Sequence, residues 1–216
     1  MQVFQKTGVV VMLVSLALFV FSCGGNDHDH DHGEGEHTHE EAGHEHDGHD
    51  HDSTPDYTAS ASSAFKSTLG DLALAYLPIK DALVETDAET TAAATQAFTT
   101  QLQQMDKAML EGEASAHWEA QSKEMLTHAQ GIEQTEDVEA QRKHFDVLSD
   151  LLINSIKSFG LEDDVFYIQH CPMAFDNTGA EWLSTEKGIL NPYFGDKMLR
   201  CGVVQETLNF ELAADK

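Results

Sequence analysis

The sequence predicts a mainly α-helical domain, a four-helix bundle closed by a small C-terminal cap of short strand, hairpin and turns. Apolar residues before Gly160 recur at helical spacing in separate stretches. Capping and turn residues divide those stretches at short intervals, as in a bundle with short connections. After Gly160 the texture changes to a β-branched and aromatic run, Val165 to His170.

Taken in order, Phe65, Leu69, Leu72, Tyr76 and Leu83 mark a first helix from about Ala59 to Val84. Pro78, which lacks a backbone donor, should kink or loosen it. Thr86 to Glu89 has the spacing of a capping box, and Ala94, Phe98, Leu102, Met105 and Met109 give the second helix its face, with Gly112 expected to end it. Trp118, Met125 and Ile132 mark a third helix from Ala114 to Ala129, with Gly131 near its end and the weakest apolar face of the set. In the fourth, Phe145, Leu148, Leu152, Ile156 and Phe159 follow an acidic start at Glu136 and Asp137, and Gly160 stands at the C-cap. The cap then runs through a strand, a turn at Asn177-Thr178-Gly179 and a short helix from Asp196 to Arg200.

Upstream of the bundle the chain reads as targeting and tether. Lys6 precedes an apolar run from Val9 to Phe21, broken by Ser15 and too short to span comfortably, since a membrane helix needs roughly 20 apolar residues. The run ends in Val20-Phe21-Ser22-Cys23, which resembles a bacterial lipobox. Residues 1–22 are therefore predicted to be a lipoprotein signal peptide and Cys23 the lipidated N-terminus; the alternative is an ordinary signal peptide or an uncleaved anchor. Gly24 follows, not the Asp that commonly retains lipoproteins at an inner membrane, which places the protein in the cell envelope, at the periplasmic or surface face of an outer membrane. Residues 23–58 lack the apolar content to offset the entropy of ordering a backbone and are expected to be a disordered tether, leaving 59–216 to bundle and cap.

That tether carries His28, His30, His32, His37, His39, His44, His46, His49 and His51 among carboxylates, many in His-x-His spacing. Neutral imidazole is a ligand for zinc, copper and nickel, and a mobile chain can bring several rings round one ion. The alternative is a solvated spacer. The formal charge of -26 repels phosphate backbones, excludes nucleic acid as a partner and favours cations.

With Cys23 acylated, Cys171 and Cys201 remain as the thiols of a chain in an oxidising compartment, and they are expected to lie close together. Cys171 and Met173 are two apart and share a side of an extended strand, with His170 on the other; Met198 and Cys201 are three apart and share a helix face. Cys171, Met173, Met198 and Cys201 would make a soft set suited to Cu(I), or Cys171 and Cys201 a structural disulfide with the methionines as packing. His170 faces away from Cys171, so no activated nucleophile is read, and His117, His128 and His144 read as surface or half-buried helix residues, His117 beside Trp118 being the one of interest. Asp163-Asp164 reads as a solvated loop, no phosphate-binding glycine loop is present, and nothing in the sequence marks an enzyme.

His170-Cys171-Pro172-Met173-Ala174, Trp182-Leu183-Ser184, Asn191-Pro192-Tyr193-Phe194-Gly195 and Met198-Leu199-Arg200-Cys201-Gly202, with Tyr76-Leu77, Asp81-Ala82-Leu83, Arg142 and Phe145 before them, resemble the domain-of-unknown-function family 3347. The resemblance implies association with heavy-metal efflux, because members are often fused behind periplasmic adaptor subunits of such pumps. This chain has a histidine-rich tail where the adaptor would stand. The expected function is a lipid-anchored envelope protein that binds transition metal ions, zinc, copper or nickel, as a buffer or an accessory to an efflux system. The alternative is a non-catalytic interaction module of an envelope complex.

Overall fold

The computed structural model describes residues 54–210. Cys23 and the histidines from His28 to His51 lie outside them.

The first helix, α1, spans Ser63–Val84, with the Ser62 hydroxyl accepting from the Phe65 amide at 3.2 Å. It starts later than Ala59 because Tyr57 to Ala61 is a separate turn, pinned to the end of the fourth helix by Tyr57 N–H donating to the Ser158 carbonyl at 2.7 Å. Pro78 is exposed and the helix continues through it. The second helix, α2, spans Ala88–Gln104, and its cap is Asp87, whose carboxylate accepts from the Thr90 amide at 3.0 Å; Thr86 instead takes a left-handed φ of 59°. It ends before Met109 because the Asp106 carboxylate captures the Ala108 amide at 2.9 Å, a local bond that competes with the helical ladder and turns the chain into a 3₁₀ segment, Lys107–Met109. Gly112 accordingly opens α3, Gly112–Glu133, instead of closing α2. The last helix, α4, spans Val138–Phe159 between Asp137 and Gly160, as its acidic start and terminal glycine predict.

Each helix packs on its sequence neighbour and α4 returns to α1, so the apolar faces meet in one core. Phe65 packs edge-on to both Trp118 (5.3 Å) and Phe159 (5.1 Å), and Tyr76 stacks on Phe145 at 5.0 Å. The cap is a three-stranded antiparallel sheet in the order β2-β1-β3, built from β1 (Val165–Cys171), β2 (Ala180–Ser184) and β3 (Val203–Asn209), with β2 against α4. The helix expected from Asp196 is a 3₁₀ turn, Gly195–Met198. No helix among the described residues is long and apolar enough to cross a membrane.

Candidate functional site

The cap brings the two thiols together. Cys171 is the buried last residue of β1, Cys201 stands half-buried just before β3, and their sulfurs are 2.8 Å apart. The chain reaches this register through residues that carry little chemistry of their own. Asn191 is buried, accepts at Oδ1 from the Tyr193 and Phe194 amides (2.8 and 3.2 Å) and donates from Nδ2 to the Cys201 carbonyl at 2.7 Å. Gly202, at φ 140°, lies so close to β1 that a Cβ there would stand 2.9 Å from the His170 carbonyl oxygen and 3.0 Å from the Trp182 ring. Only glycine lets the segment after Cys201 settle there. The contact with Cys171, then burial, push the Cys201 thiol up to about 11, so as a free thiol it is protonated at neutral pH and weakly nucleophilic.

Because β1 ends at Cys171, Met173 sits in the turn beyond it, where Phe175, Asp176 and Asn177 all take left-handed φ values of 48°, 58° and 69°. Met173 and Met198 line one cleft of about 700 Å³ with Phe175, Glu139, Lys143 and Lys197, and neither cysteine lines it. Cys201 likewise follows the 3₁₀ turn instead of sharing its helical face with Met198, tied to it by a Cys201 N–H bond to the Met198 carbonyl at 2.9 Å. The His170 imidazole is turned towards Gly179, a hypothetical Cβ of which would stand 2.7 Å from Nε2. Among the described residues no group of three or more His, Cys, Asp or Glu side chains is disposed to hold a metal ion.

Two features escaped the periodicity of the sequence. On α4, Asp146 and Asp150 both have carboxyls raised to about 6, in each case by burial first, then by Asp150 for Asp146 and by Glu181 for Asp150. On the α3–α4 face His128 and His144 meet, their Nδ1 atoms 3.2 Å apart. Burial, then His144, hold the His128 imidazole below its usual range, while Glu124 acts in the opposite sense. His117 packs its ring near Tyr57 (5.4 Å) and Phe159 (5.9 Å), a half-buried role beside the core. The meeting of His128 with His144 depends on how two helices are set against each other, and neither helix's own pattern records that.

Residues 72–164 match the family model described as Protein of unknown function (DUF3347). The match begins within α1, includes Tyr76, Asp81, Arg142 and Phe145, and stops before β1, so the cysteine-bearing motifs of the cap lie beyond it. No curated protein and no solved structure matches the chain. Residues 72–164 of the bundle are thus similar to the DUF3347 family of proteins of unknown function.

Proposed function

We propose that this protein is a lipid-anchored envelope protein that binds zinc, copper or nickel ions, acting as a buffer or accessory to heavy-metal efflux. The observation that carries the reading is the run of histidines from His28 to His51 interleaved with Asp and Glu. Imidazoles supply the ligands, and the carboxylates raise the local cation concentration and add oxygen donors. Those same carboxylates favour protonated histidine, so affinity falls as pH drops through the imidazole range near ~6.5.

The experiment replaces the histidines from His28 to His51 with Ala in the full chain and counts bound zinc and nickel by equilibrium dialysis with elemental analysis. Most bound equivalents should disappear while the thermal midpoint of the bundle stays where it was. An unchanged stoichiometry overturns the reading. The anchor has its own test: Cys23→Ser should release the protein from the membrane fraction or block its processing, and a variant that is still processed and anchored refutes the lipoprotein assignment.

For the cap, a specific observation favours the structural alternative. Two sulfurs in contact, with no third His, Cys, Asp or Glu side chain joining them among the described residues, suit a latch between β1 and the segment entering β3. In an oxidising compartment that latch is a disulfide. It takes the two thiols of the cap out of the metal chemistry.

A further inference from the structure

We propose that His128 and His144 form a two-imidazole site for a borderline divalent ion, Zn²⁺, Ni²⁺ or Cu²⁺, bridging α3 and α4, with water completing the coordination. Geometry carries the inference. Two nitrogens each about 2.0–2.1 Å from one ion stand roughly 2.9 Å apart at a right angle and roughly 3.4 Å apart at the tetrahedral angle. The Nδ1 atoms of His128 and His144 are 3.2 Å apart, within that interval, and the rings are tilted at 58°. Both side chains are half-buried, which leaves the pair open to an ion and its waters while the helices hold the rings.

Without metal, one Nδ1 must carry a proton and donate it to the other. With an ion between them, both rings hold their proton at Nε2 and both Nδ1 lone pairs face the metal, so the exchange is a tautomeric shift with no change of charge on either ring. Glu124, close enough to His128 to act on its charge, adds an attractive field for a cation.

Gly131 positions the second ring. It lies one turn beyond His128 on α3, and a Cβ there would stand 2.5 to 2.6 Å from His144 Cε1, Nδ1 and Nε2. The His144 ring therefore rests on the bare backbone of α3, and this contact sets its distance from His128.

The site is independent of the tail, and its readout is chosen to stay so. An ion that ties α3 to α4 binds the folded state alone and must raise the unfolding temperature, whereas ions held by the tail change the stoichiometry. In the full chain with the tail histidines replaced by Ala, 1 mM ZnCl₂ should raise the thermal midpoint by roughly 5 °C or more if the free ion is about 100-fold above its Kd. His128→Gln and His144→Gln should each abolish the rise. Gly131→Ala removes no ligand and favours helix, yet should also abolish it by displacing the His144 ring.

A second measurement serves if a variant fails to fold. In long-range ¹H–¹⁵N spectra of the unsubstituted full chain, zinc should shift the Nδ1 resonances of His128 and His144 together, with protons retained at Nε2. Equal zinc stabilisation in the Gln variants, or Nδ1 resonances that do not respond to zinc, overturns the site. An unchanged zinc stoichiometry after replacement of the tail histidines, with these two responses intact, would instead refute the proposed function and leave this site standing.

Discussion

Replacing Arg142 with Met is expected to cost the domain about 3 kcal/mol of stability, because the buried Pro192 carbonyl loses its donor and the Leu83 carbonyl is left with the Thr86 amide alone. Arg142 leaves α4 with only 1% of its surface exposed, yet its guanidinium meets a partner on every side. Nε donates to the Pro192 carbonyl at 2.8 Å, one terminal nitrogen to the Leu83 carbonyl and the Thr86 hydroxyl at 3.1 Å each, and the other to Glu139 at 2.8 Å. Those partners belong to the end of α1, to α4 itself and to the Asn191–Gly195 loop, so one side chain joins bundle to cap. Met keeps the stem's packing and removes the fork, and Lys, a single point donor, cannot serve the same set. Urea unfolding followed by circular dichroism gives the difference, and a loss below about 1 kcal/mol would show that the carbonyls find other partners.

The second large effect is expected from the thiol pair. Oxidation of Cys171 and Cys201 closes a loop between positions 30 residues apart, which by loop-closure entropy stabilises the fold by roughly 3 to 4 kcal/mol. Protein prepared without reductant should show neither thiol when denatured, both after reduction, and a lower urea midpoint once reduced. Cys201→Ser should match the reduced protein. Two titratable thiols in the unreduced, denatured protein exclude the latch, and thiols that appear only after a Cu(I) chelator is added point to a metal on the sulfurs instead.

The helices were legible because their apolar residues repeat with the helical period, and Phe145, Leu148, Leu152, Ile156 and Phe159 are indeed all fully buried. Their ends were less so, since a side chain such as Asp106 or Asp87 can redirect the backbone within a turn without altering the apolar pattern. Strand β3 carried no sequence signal because Leu208 is its one buried residue, and the strand is held by its ladder to β1 more than by packing. For the thiols, the sequence led to proximity through the compartment and the scarcity of cysteine, while the cleft that Met173 and Met198 share required knowing that β1 stops at Cys171. Two residues that carry the family resemblance, Asn191 and Arg142, hold the backbone that places Cys201.

The strand order has a consequence for the order of assembly. The central strand β1 finds one neighbour, β2, across a short turn, but its other neighbour, β3, is supplied by residues 203–209. A chain delivered from its N-terminus can close the local contacts of its helices while the far edge of β1 still waits for a partner. Cys171 then arrives as an unmatched sulfur with a vacant ladder edge beside it, open to mispairing until Cys201 and β3 follow. The bundle comes first in such a sequence, and the sheet, whose outer strand β3 is the last to be delivered, is the step that completes the domain.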